Sequence, residues 1–149
     1  MLRSRRLEPV REVASHAEER AAQALAAGET RLTQARARLT ELERYEREYR
    51  SALQERTAAG IGIGELRAFQ TFIAKLGEAV TQQGLLVGRA SEERDTLRER
   101  WLEASKRSRA VGKVIEHAAA DERRADERRE QSDCDERAQR NFAAARAKE

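Results

Sequence analysis

A stripe stepping alternately by three and four residues runs without a skip from Leu66 to Ala118. Its large apolar members include Phe69, Ile73, Leu76, Val80, Val87, Leu97, Trp101, Val111 and Ile115, and only Gln83, Arg94 and Ser108 interrupt it with polar groups. A seven-residue period held this long requires a helix that supercoils left-handedly about another helix, because 3.5 residues per repeat keeps the stripe facing one partner. Strands, which alternate every two residues, are excluded over this segment. The partner helix has to come from elsewhere in the chain or from another molecule.

The first third of the chain supplies a candidate. Leu25, Leu32, Ala35, Leu39, Leu42, Tyr49 and Leu53 fall on one stripe at steps of three, four or their sums. Glu43 with Arg47 and Glu46 with Arg50 stand four residues apart in the favourable order, each pair contributing about 0.2–0.5 kcal/mol on an exposed face. Pro9 lacks an amide hydrogen and has a fixed φ, so it suits a first helical turn. Helix 1 is therefore expected over about residues 8–57. Gly60, Gly62 and Gly64 alternate with Ile61 and Ile63 and form the densest breaker cluster in the chain, which predicts a turn over 58–64. No strand precedes these glycines, and their spacing fits no phosphate-binding loop. Helix 2 is expected over about 65–145.

Folding the chain back at Ile61 pairs residues whose numbers sum to about 122, from equal rise along both helices. Leu53 then faces Phe69, Tyr49 faces Ile73, Leu42 faces Val80, Leu39 faces Gln83, Leu25 faces Leu97 and Ala21 faces Trp101. Helix 1 runs out opposite Val114, so helix 2 is expected to be unpaired after about residue 118. The predicted fold is all-α: a long antiparallel two-helix coiled-coil hairpin with a glycine-rich turn and a C-terminal helical extension, in a single domain over residues 1–149.

Charge patterning narrows the function. The chain has 30 Lys or Arg and 27 Asp or Glu, with a net charge of +3, and the signs are interleaved along its whole length. A phosphate-binding stripe needs one sign on one face, so nucleic acid is not an expected partner. His16 and His117 belong to no cluster of metal-ligating spacing. Cys134, the only cysteine, lies between Asp133 and Asp135, which disfavour its thiolate. No catalytic residue, cofactor site or metal site is expected, and the chain reads as non-enzymatic. No apolar run reaches membrane-spanning length. A single cysteine and the lack of a signal-like start point to the cytoplasm.

Some apolar residues lie beside the seam. Tyr45 is four residues from Tyr49 and three from Leu42, while Phe72 is four from Leu76 and seven from Ala79. The fold-back sets these groups side by side as one ridge: Leu42, Tyr45, Tyr49, Phe72, Leu76 and Ala79. Ordinary packing accounts for Leu42 and Leu76. A two-helix hairpin has no third layer to cover Tyr45 and Phe72, which marks them as a partner surface.

A family resemblance rests on Tyr45, Tyr49 and Arg50, on Ala59, Gly60 and Ile61, on Gln70, Phe72, Ile73, Leu76, Ala79 and Gln82, on Trp101, and on Glu130, Gln131, Asp135, Glu136, Ala138 and Arg140. With these residues the chain resembles the flagellar export protein FliJ over nearly its whole length. The resemblance implies a shaft-like antiparallel coiled coil of the bacterial flagellar type III export apparatus. It implies as partners the hexameric export ATPase, its regulator, the export gate protein and export chaperones, at the cytoplasmic side of the flagellar base. The family's gate-binding surface maps onto the ridge just described, and contact with the ATPase ring is implied for Trp101, Glu130, Gln131, Asp135, Glu136 and Arg140. The isolated chain is expected to be a monomer. Competing readings are the stalk of a virulence-type secretion system and a generic structural coiled coil.

Overall fold

The computed structural model describes residues 2–148. The chain is all-α: α1 spans Arg3–Ala59 and α2 spans Ile63–Ala147, and the two helices run antiparallel with contacts between residues far apart in sequence. Gly60, Ile61 and Gly62 lie between them, so the interruption takes three residues where the sequence suggests seven. α1 stops where Gly60 takes a φ of 94° and its amide donates to the Thr57 carbonyl at 3.3 Å. That left-handed conformation is cheap only without a Cβ, and it diverts the chain from the helix axis. Arg56 and Glu65 form an ion pair across the link.

The fold divides into an inner unit, Glu19–Leu102, and a terminal unit of Met1–Glu18 with Glu103–Glu149. In the inner unit Leu32 is the most buried side chain at 2% exposure, with Leu42 and Leu76 also buried. Gly28 is buried as well, because Leu97 sits directly over it: a Cβ at residue 28 would stand 2.6 Å from Leu97 Cδ1. The large side chain of one helix thus fills the space left by the missing one of the other, as knobs-into-holes packing requires. Gln83, a polar member of the α2 stripe, is half-buried and donates its amide to the Ala35 carbonyl at 3.0 Å, one turn from Leu39, where equal-rise arithmetic places it. Its polar group is therefore satisfied inside an otherwise apolar seam. At the rim, Arg31 and Glu93 form an exposed pair at 2.8 Å.

In the terminal unit Ile115, Ala118 and Ser105 are buried. Two expectations are corrected here. α1 begins at Arg3, and Pro9 lies within it, not at its start. Proline removes only one helical bond, to the carbonyl of residue 5, and Arg5 is exposed so that water can replace it. The early turns are held from the other helix: the Glu122 carboxylate accepts from the Ser4 amide at 3.0 Å and from the Ser4 hydroxyl at 2.6 Å. Pairing therefore reaches Glu122, beyond the predicted limit near 118. From Arg123 to Ala147 every residue of α2 is exposed.

Candidate partner-binding surfaces

Two of the six ridge residues are buried leucines. Leu42 on α1 and Leu76 on α2 lie in the inner-unit core at 8% and 9% exposure. Tyr49 and Phe72 bring their rings to 4.6 Å at an interplanar angle of 57°. This tilted arrangement suits ring quadrupoles better than a face-to-face stack. Both remain open to solvent, Tyr49 at 39% and Phe72 at 42%. A shallow hollow beside them is lined by Tyr49, Ala68, Phe69 and Phe72. Ala79 is half-buried on the same side as Phe72, one heptad further along α2.

Tyr45 is half-buried and carries the polar edge of the ridge. Its hydroxyl donates to Glu41 Oε1 at 3.1 Å, while Arg38 donates to Glu41 Oε2 at 3.0 Å. These bonds, that from Arg38 foremost, hold the Glu41 carboxyl below its usual range. The Arg44 guanidinium lies 5.3 Å from the centre of the Tyr45 ring. Arg38, Glu41 and Tyr45 share one helix face by their spacing of three and four, so this chain of bonds was open to reading from the sequence.

The six residues implied for the ATPase contact divide between units. Trp101 is half-buried in the inner unit. Glu130, Gln131, Asp135, Glu136 and Arg140 are exposed in the terminal unit, with Arg140 and Glu136 paired at 3.4 Å. Arg124 with Asp121 and Arg129 with Asp126 add pairs along the same helix at 3.4 and 3.9 Å. The last apolar ring, Phe142, is 67% exposed, with the Arg146 guanidinium 5.8 Å from its centre.

Three contacts escaped the sequence reading. The Gly28 seat for Leu97 looks in the sequence like one more weak helix position, and the Gln83 bond to a backbone carbonyl has no side-chain partner to signal it. The Glu122 contact with Ser4 depends on α1 starting ahead of Pro9. Ser4 donors, the hydroxyl first and then the amide, hold the Glu122 carboxyl below its usual range, with Arg5 adding a smaller charge effect. Among the described residues no group of three His, Cys, Asp or Glu side chains converges as metal ligands would, and Cys134 is exposed and free.

A family model described as "Flagellar FliJ protein" matches residues 3–147. The chain belongs to the FliJ family. No curated protein and no solved structure matches it. As a FliJ-family protein it is a non-enzymatic, cytoplasmic component of the flagellar export apparatus, peripheral to the membrane, that works with the export ATPase complex and the gate. Among the described residues no helix is long and apolar enough to cross a membrane.

Proposed function

We propose that this FliJ-family chain is a shaft and adaptor: a coiled-coil hairpin with a glycine link, whose inner unit binds the export gate and whose terminal unit, with its helical extension, engages the ring of the export ATPase. The observation that carries the gate assignment is the exposed Tyr49–Phe72 pair, with 4.6 Å between ring centroids. Two rings held at fixed geometry lose little conformational freedom on docking, and interface hot spots favour such aromatic anchors. The gate-binding surface is Leu42, Tyr45, Tyr49, Phe72, Leu76 and Ala79. Its leucines belong to the core between the helices, and its alanine leaves room for a partner to approach.

For the ATPase, the relevant feature is a helix that buries nothing after Glu122. Its 9 acidic and 8 basic residues from Asp121 to Glu149 favour helix through pairs at spacings of three and four, worth about 0.2–0.5 kcal/mol each. A helix supported this weakly is marginal in water and gains most from an external partner. Glu130, Gln131, Asp135, Glu136 and Arg140 offer such a partner a charged surface, and Trp101 is the aromatic residue assigned with them. Through this contact the protein promotes assembly or activity of the hexameric ATPase, alongside the ATPase regulator and export chaperones.

The deciding experiment replaces Tyr45→Ala and Phe72→Ala together and measures binding to the export gate protein, motility and thermal melting. Gate affinity is expected to fall by at least about 2 kcal/mol, the scale of a hot-spot pair, with helicity retained. Retained gate binding together with a large loss of thermal stability would assign both residues to the core and remove the ridge from the interface.

A further inference from the structure

Residues 77–88 of α2 contrast in helix propensity and charge with the sections on either side. Six of these twelve residues, Gly77, Val80, Thr81, Gly84, Val87 and Gly88, are weak helix formers, whereas the α1 stretch from Glu29 to Ala59 contains no glycine. Nothing in the packing calls for the glycines. Gly84 and Gly88 have no atom within 4 Å of where a Cβ would stand, and at Gly77 only Glu46 Oε2 approaches, at 3.9 Å, an ordinary contact. Among the described residues only Gly60 has positive φ, so no backbone strain demands them either. The segment has one charged residue, Glu78, and no ion pair among the described residues. None of its side chains is buried, and Leu85 and Leu86 are 61% and 49% exposed. Weak propensity, missing ion pairs and sparse burial are the physical marks of a helix section that opens locally. Within the section the Thr81 hydroxyl donates to the Gly77 carbonyl at 3.1 Å, and one hydrogen bond ties the section to α1: the Gln83 amide on the Ala35 carbonyl, at its centre.

We propose that residues 77–88 form a compliant section of α2, fastened to the stiffer α1 by Gln83, which lets the α2 half of the ridge adjust when the gate docks. Gly77 stands between the ridge residues Leu76 and Ala79, so bending in this section moves one relative to the other. The docking role rests on the gate reading above, and the compliance does not.

Amide hydrogen exchange on the full chain tests the compliance. Protection factors for 78–88 should be at least about tenfold lower than for α1 residues 33–45 and for α2 residues 91–101. Gly84→Ala with Gly88→Ala should slow exchange there by about fivefold per substitution, the factor that alanine's helix preference over glycine provides, while Gln83→Ala should speed it. Equal protection across the three segments, or exchange unmoved by the alanines, overturns the compliance. Gate binding by the same double variant tests the role: at least a threefold weakening is expected, since the stiffened helix resists adjustment. Slowed exchange with unchanged gate affinity overturns the docking role. That outcome is distinct from failure of the ridge itself, which shows as gate binding surviving Tyr45→Ala with Phe72→Ala.

Discussion

Leu32 offers the most direct test of how the helices are held together. At 2% exposure it is the most buried side chain of the core. Leu32→Ala removes three carbons from the seam, and at about 0.8 kcal/mol per methylene the lost transfer energy is about 2.4 kcal/mol. A cavity term adds to this, but two helices with solvent on both flanks can close in more than a surrounded core can, which holds the total toward the low end of the range of about 2–5 kcal/mol for such substitutions. Alanine's helix preference returns only a few tenths. The net loss expected is about 2–3 kcal/mol. Leu85→Ala provides the control: Leu85 is 61% exposed, and the change should be within about 0.5 kcal/mol. Urea unfolding followed by circular dichroism at several protein concentrations measures both, with the slope on denaturant expected to stay constant. If Leu32→Ala costs no more than Leu85→Ala, the seam does not run where the structure places it. If the midpoint rises with protein concentration, the helices pair between chains.

Two further outcomes concern the terminal unit. Glu122 carries a carboxyl held below its ordinary value of 4.5 by Ser4, so its contribution is present above that value and is lost as pH falls through the lower folded one. An NMR titration of the Glu122 side chain should therefore give a pKa below 4.5 that returns toward 4.5 in Ser4→Ala, and an unchanged titration would show that the two do not interact in solution. Among the described residues, truncation after Glu122 removes only exposed ones, so hairpin melting should be nearly unchanged while ATPase association weakens and becomes less dependent on salt. Full ATPase stimulation by the truncated chain would return the ring contact to the paired region around Ala21 and Trp101.

The two helices, their antiparallel pairing and the stripe that joins them were legible in the residues themselves, because a seven-residue period and a fold-back point are one-dimensional signals that translate directly into faces and facing pairs. The approach of Tyr49 to Phe72 was legible for the same reason: Tyr49 lies seven residues from Leu42 and Phe72 four from Leu76, and the fold-back sets the two helices side by side there. What the sequence could not decide were contacts whose partner is backbone or empty space. Gly28 reads as a defect until Leu97 is seen to need its missing Cβ. Gln83 reads as a flaw in an apolar stripe until the Ala35 carbonyl accepts its amide. The start of α1 at Arg3 was hidden because local propensity argues from Pro9 alone, whereas Glu122, more than a hundred residues away, supplies the acceptor for Ser4 that the first turn lacks. Periodicity determines which faces meet; only the tertiary structure decides how closely they approach and which unpaired backbone groups each side satisfies, since these depend on distances of a few tenths of an ångström that no spacing of residues encodes.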